Sequence, residues 1–296
     1  MPYMEQKPNL FVVGSAKCGT TTVARVLGEH PDCCMSDPKE TFYFCKDGDL
    51  APWTDYYRNC WRHYKGEPIL AEASTSYSEV PRFPDCSERI VAFNPDAKIV
   101  YIVRHPFDKI VSYYRHQGTY HGFVSRDGFE QWLKFECSTN GFYEQCKYST
   151  QLRRYQRLFP ADRILVLFLE NWKQDPAAQI EKLFAFAGLR PVPVAPLTRL
   201  RENSATDHRA QKEWFWRMRH NPVTRKLGRA VMPTRARFLA GRWIGSRPAM
   251  TVPLTLSARL TNEFIDEVKP DADRFAEEFA ADAPNWDWTT PPWKVV

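Results

Sequence analysis

The sequence predicts an α/β domain in which a mainly parallel central sheet carries helices on both faces. Three observations predict it. Short apolar, β-rich runs alternate along the chain with segments of helical periodicity. Two of those runs, Leu10-Phe11-Val12-Val13 and Ala97-Lys98-Ile99-Val100-Tyr101-Ile102-Val103, lead directly into helix starts. The 296 residues, 43% hydrophobic and 14% aromatic, suffice for a core that buries about three quarters of the surface, and they exclude a largely disordered chain.

Residues 10–13 form the first strand and 20–29 the helix after it, with Val23, Val26 and Leu27 on one face and Pro31 ending it. Ile69-Leu70-Ala71 is a second apolar run, 88–93 a short helix and 98–103 a strand. A helix over 106–116 opens on Pro106, whose fixed φ suits the first helical position. Residues 163–169 read as another strand, and 176–187 as a helix closed by Gly188. Pro191-Val192-Pro193-Val194-Ala195-Pro196 is a stiff connector. Leu256, Leu260, Phe264 and Val268 repeat at helical spacing behind Thr255 and stop at Pro270, with Phe275 and Phe279 on a second helix. Trp286, Trp288 and Trp293 in the Pro-rich tail cap the domain. The expected organisation is a single domain over 1–296, with a core at 9–190, a basic segment at 191–250, and C-terminal helices with a Trp-rich tail at 251–296.

Charge and cysteines narrow the function classes. The chain carries a net +6, but residues 199–247 alone hold thirteen Lys/Arg against three Asp/Glu, so the basic character is local. No apolar run reaches the roughly 18 residues that span a membrane, and the N-terminal residues lack a basic-then-apolar signal pattern. A cytoplasmic protein is expected. The eight cysteines include no C-x-x-C pair, which specifies neither a zinc site nor a disulfide framework.

The chemistry starts after the first strand, at Gly14-Ser15-Ala16-Lys17-Cys18-Gly19-Thr20-Thr21-Thr22. Glycines let backbone approach a ligand closely, and the first amides of the following helix attract anions, so this loop is a phosphate cradle. The kinase and ATPase form of such a loop places Lys directly before the Ser/Thr that holds Mg²⁺. Here Lys17 is separated from Thr20 by Cys18 and Gly19, which describes a phosphate site without an obligatory metal. A plain strand-to-helix turn capped by Thr20 is the competing reading. Cys18 is either an acidified thiol, if exposed, or a small buried filler. The second strand-to-helix junction places Arg104 at the carboxyl end of a strand, where open α/β sheets bind ligands. Ser112, two turns into the helix after Pro106, is a hydroxyl available to the same phosphate.

Together these junctions resemble the cofactor signature of sulfotransferases that use 3′-phosphoadenylyl sulfate (PAPS). Lys17, Gly19, Thr20 and Thr21 match the family's Lys-x-Gly-Thr-Thr loop, and Arg104, Pro106 and Ser112 match its Arg-x-Pro-x-x-x-x-x-Ser element. The resemblance covers residues 9–190 and includes Lys147-Tyr148-Ser149-Thr150-Gln151-Leu152, Glu170 and Asp175-Pro176. It implies the P-loop-NTPase-like sulfotransferase fold, with Lys17, Cys18, Gly19, Thr20, Thr21 and Thr22 around the 5′-phosphosulfate and Arg104 and Ser112 on the 3′-phosphate. Pro38-Lys39-Glu40-Thr41-Phe42-Tyr43-Phe44 resembles the branch containing bacterial and heparan sulfate enzymes, which implies Glu40 as base toward an acceptor hydroxyl. Phe42 stands where many relatives have histidine, and Ala73 where heparan enzymes can have lysine.

The transfer so implied runs in line, like phosphoryl transfer, with charge growing on the departing phosphate oxygen where Lys17 can stabilise it. The family also implies a basic lid over the cofactor, for which Arg209 is the candidate, with Arg201 and Lys212 beside it. Trp214-Phe215-Trp216 reads as the packed face of a helix, and Tyr120, His121, Phe123 and Trp132 as part of the acceptor side. The expected partners are PAPS, its product 3′-phosphoadenosine 5′-phosphate, and a hydroxyl-bearing small molecule, lipid or sugar. Neither nucleic acid nor a metal is expected. The alternatives are a P-loop-type nucleotide-dependent kinase and a polyanion-binding protein using the basic segment.

Overall fold

The computed structural model describes residues 7–121, 128–199, 209–211, 246–248 and 254–296. The basic segment at 199–247 lies mostly outside them, including Arg201, Lys212 and the Trp214-Phe215-Trp216 run. By its contacts the chain divides into two units. One comprises Met1–Pro106, Asn140–Glu202 and Asp266–Asp287; the other comprises Phe107–Thr139, Asn203–Ile265 and Trp288–Val296.

The first unit is built on five strands, β1 (Leu10–Gly14), β2 (Cys33–Met35), β3 (Ile69–Glu72), β4 (Lys98–Val103) and β5 (Ile164–Phe168). All are parallel, in the order β2-β3-β1-β4-β5. Parallel strands covered on both faces read as continuous apolar runs, as these do. Residues alternate between the two faces. Leu10, Val12, Val100, Ile102, Leu165 and Leu167 pack with Val23, Val26 and Leu27 of α1 (Thr20–Gly28), and with Trp172 of α8 (Leu169–Gln174) and Ile180, Leu183 and Phe184 of α9 (Pro176–Ala187). On the opposite face Phe11, Val13, Ile99, Tyr101, Val103 and Phe168 pack with α2 (Thr54–Asn59), α3 (Cys86–Phe93) and α7 (Tyr148–Gln156).

The order places a switch point between β1 and β4. From β1 the chain leaves toward β2 and β3, and from β4 toward β5. The loops after these two neighbouring strands therefore diverge and open a crevice at their carboxyl ends. β1 carries a bulge there, where the register to β4 shifts between Val12 and Gly14, and the ladder resumes as Ser15 N–H donates to Ile102 O at 2.7 Å.

The second unit holds α5 (Gly128–Asn140), most of α4 (Pro106–His121), and two small sheets: β6 (Arg209–Gln211) antiparallel to β7 (Ser246–Pro248), and β8 (Thr255–Leu256) parallel to β9 (Lys294–Val295). Trp293 packs its ring against Phe107 and Phe129, and its Nε1–H donates to Thr261 Oγ1 at 3.1 Å. Trp132, expected on the acceptor side, is buried against Phe129 and Tyr114.

Two local expectations are corrected. The pattern stopping at Pro270 belongs to a single helix, α10 (Ala258–Glu278), that runs through the proline. Pro270 removes one backbone bond, and full burial of Val268, Ala272 and Phe275 on either side holds the helix together. α4 continues to His121 instead of 116. β2, with only three residues, and α2 carry too little periodicity to be read beforehand. Among the described residues no helix is long and apolar enough to cross a membrane, and all eight cysteines are free.

α7 has no side-chain cap of its own. α10 supplies one: buried Asp271 accepts from Ser149 N–H at 2.8 Å, and from Thr150 N–H at 3.0 Å and Oγ1 at 2.7 Å. Asp271→Ala is expected to cost about 1–2 kcal/mol, the worth of an N-cap, measured by urea unfolding.

Candidate functional site

The cradle follows from local sequence. Gly19, with φ 100°, is the N-cap of α1, so Thr20 is the first helical residue and not the cap. A Cβ at Gly19 would lie 2.8 Å from Leu169 Cδ1, and one at Gly14 would lie 1.9 Å from Ser78 Oγ. Only glycine fits either place. Lys17 has φ 65°, a left-handed conformation uncommon outside glycine and concentrated at ligand-binding loops. The first turn of α1 begins at Thr20, and both the Thr22 and Val23 N–H groups donate to the Gly19 carbonyl, at 3.0 and 3.2 Å.

Arg104 leaves the end of β4 and donates from its guanidinium to the Lys17 carbonyl at 3.2 Å. The cradle and Arg104 thus meet at the switch point. Tyr148, fully buried at the start of α7, donates its hydroxyl to Arg104 O at 2.8 Å. Cys18 is fully buried, with Sγ 3.5 Å from Ala16 O and 3.7 Å from the Tyr148 hydroxyl, so it is filler within this support. Behind Arg104, the His105 N–H donates to Glu170 Oε1 at 2.8 Å, which fixes the turn between strand and helix.

Electrostatics mark the site as one for an anion. Burial, and secondly the nearby Arg104 guanidinium, lower the Lys17 pKa to about 8. Two cations held together away from water are relieved by an anion placed between them.

Glu40 stands at the same place. Lys39 Nζ pairs with Glu40 Oε1 at 2.8 Å and reaches Thr20 Oγ1 at 3.5 Å, which ties the acid to the first residue of α1. Thr75 Oγ1 donates to Glu40 Oε2 at 3.4 Å. Glu40 is also close enough to Lys17 to favour its charged form. Phe42 is left-handed, φ 54°, and 41% exposed, whereas Ala73 is fully buried.

Of the other predicted site residues, Ser112 lies on α4 and is partly buried, and Arg209 begins β6. Both belong to the second unit. Phe123 lies outside the described residues, as do the side chains of Tyr120 and His121. Sequence reasoning missed Glu72, Tyr148 and Lys39 as parts of the site. For Glu72 a signal exists, a lone acid ending an otherwise apolar strand at the sheet's carboxyl edge.

Residues 7–261 match the sulfotransferase domain family. The chain belongs to the sulfotransferase family. It is 26% identical over 207 residues to the human bifunctional heparan sulfate N-deacetylase/N-sulfotransferase 2, an alignment covering 63% of this chain and 22% of that enzyme. The chain thus spans about a fifth of the length of this curated relative. In fold it is similar to a sulfotransferase from Alicyclobacillus acidocaldarius, with a TM-score of 0.61 and 20% identity over 96% of this chain and 100% of that one. Mouse sulfotransferase SULT7A1, solved in complex with PAP, gives a TM-score of 0.50 and 16% identity over 93% of this chain and 89% of its own. The P-loop-like sulfotransferase fold, with its mainly parallel sheet, matches the fold expected from the sequence.

The lowered Lys17 pKa has a consequence for ligand binding. An anion prefers the protonated amine, so below about pH 8 the free site is ready, and above it each binding event must first take up a proton. Affinity for sulfate, an anion whose own charge does not change over this range, is therefore expected to fall as pH rises through 8. Calorimetry in two buffers of different ionisation enthalpy should show proton uptake at pH 9. Lys17→Arg, which stays charged, should flatten the profile.

Proposed function

We propose that this chain transfers a sulfuryl group from PAPS to a hydroxyl of a small-molecule, lipid or carbohydrate acceptor, with Glu40 as the base. The observation that carries the reading is the meeting of Lys17 and Arg104 at the β1/β4 switch point, with Glu40 tied to the start of α1 through Lys39. PAP in the mouse relative of the same fold supports the choice of cofactor. When bound, PAPS supplies an activated sulfuryl group on a phosphate leaving group.

The chain's own residues divide the remaining work. Lys17 and the positive end of α1 hold the 5′-phosphate side and offset charge that grows there. Arg104 takes the 3′-phosphate, where a planar guanidinium suits phosphate geometry. Glu40 Oε2, the oxygen not paired with Lys39, accepts the proton of the attacking hydroxyl. Ser112 and Arg209 are assigned to the cofactor on their place in the sequence alone. Glu72, the acid at the end of β3, receives four hydroxyl donors on its two oxygens and is not arranged as the metal-binding acid of a kinase.

Calorimetric titration without metal tests the cofactor assignment. 3′-Phosphoadenosine 5′-phosphate is expected to bind tightly and 5′-AMP and ATP weakly, with the difference lost in Arg104→Ala. Preference for ATP with Mg²⁺ would overturn the reading. Glu40→Gln is expected to keep bisphosphate affinity while sulfuryl transfer falls by about 10²–10⁴-fold, the usual contribution of a general base, read from radiolabelled PAPS in an acceptor screen.

A further inference from the structure

Glu72 is fully buried, and a carboxylate in that position is costly unless hydrogen bonds satisfy it. Four hydroxyls do so. Thr41 Oγ1 at 2.6 Å, Ser74 Oγ at 2.7 Å and the Tyr77 hydroxyl at 2.5 Å donate to Oε1, and the Tyr57 hydroxyl donates to Oε2 at 2.6 Å. Burial raises the carboxyl pKa and outweighs these donors, which lower it. Three donors on one oxygen suit an ionised carboxylate, which only accepts.

Two of the four donors flank Glu40. Thr41 follows it in the chain, and Ser74 Oγ accepts from the Thr41 N–H at 3.0 Å and the Phe42 N–H at 3.4 Å. Ser74 also precedes Thr75, whose hydroxyl reaches Glu40 Oε2. On the other side of Glu40, the Lys39 carbonyl accepts from Ser36 Oγ at 3.0 Å and from the Ala73 N–H at 3.4 Å. The left-handed backbone at Phe42 belongs to the same clamp, since such a conformation persists only where the surroundings over-determine it.

We infer that Glu72 is a positioning residue for sulfuryl transfer, its buried carboxylate holding Thr41 and Ser74 so that Glu40 is set at the mouth of the cradle. The inference rests on Glu40 being the base. It goes beyond support of the fold, because two of the four donors to Glu72 are Thr41, which follows Glu40, and Ser74, which holds the Thr41 and Phe42 amides.

The test uses three readouts on the full chain. Affinity for 3′-phosphoadenosine 5′-phosphate reports the cradle. Turnover of PAPS with water as acceptor reports the transfer: the sulfur–oxygen bond to phosphate breaks, water oxygen bonds to sulfur, and its proton leaves through Glu40. Amide hydrogen exchange over residues 40–44 reports the clamp. Glu72→Gln keeps the size but replaces an acceptor oxygen with an NH₂ group, and Thr41→Val removes one donor. In both, turnover is expected to fall about ten- to a hundred-fold, the scale of an ångström of misplacement, and exchange over 40–44 to quicken. Bisphosphate affinity should stay within about threefold, and Thr41→Ser should restore turnover to within about threefold of wild type.

Wild-type turnover in Glu72→Gln would overturn the inference, as would bisphosphate affinity falling in step with turnover. Undiminished turnover in Glu40→Gln overturns the base assignment and the inference with it. A slow Glu40→Gln beside a fast Glu72→Gln overturns the inference alone.

Discussion

Two like charges share one edge of the sheet. Lys17 follows β1 and Arg104 follows β4, and because these strands are paired neighbours, the two cations are delivered to one crevice by the backbone itself. Their repulsion, added to burial, opposes the charge on Lys17. Only a rigid frame keeps such groups together, and the frame is visible. Residues packed from both faces hold β1 and β4, the Tyr148 hydroxyl holds the Arg104 carbonyl, and Asp271 caps the helix that carries Tyr148. The fold itself thus sets the two cations in place.

One strand further along the sheet the electrostatics reverse. β3 pairs with the other side of β1 and ends in Glu72, a buried acid surrounded by hydroxyls. The order β3-β1-β4 therefore sets an acid anchor, a lysine loop and an arginine side by side at the carboxyl edge. Glu40 is joined to both parts, through Lys39 to the cradle and through Thr41 and Ser74 to the anchor. Neighbouring strands about 4.8 Å apart fix the spacing of Glu72, the Lys17 loop and Arg104 along that edge.

Much of this was legible in the chain. The strands at Leu10–Gly14, Lys98–Val103 and Ile164–Phe168 are buried on both faces and read as unbroken apolar runs. Lys17, Gly19 and Arg104 stand out in the sequence because each sits at a junction of an apolar strand with a helix, where glycine and cationic residues suit a phosphate. Less local features escaped. β2 is three residues long, the proline inside α10 is overridden by packing around it, and the first cap of α1 is a glycine whose need arises from the side chain of Leu169 on another helix.

Residue type and order by themselves determined that this protein has a parallel α/β sheet and a Gly/Lys/Thr loop between its first strand and the helix that follows, because periodicity and loop chemistry are local properties. Tertiary structure decided which strands are neighbours, and so which cation faces Lys17, that Cys18 and Trp132 are buried, and that Glu72 organises the segment around Glu40. Those facts depend on groups distant in the chain, such as Thr41, Tyr57, Ser74 and Tyr77 around one carboxylate, whose convergence no spacing along the sequence encodes.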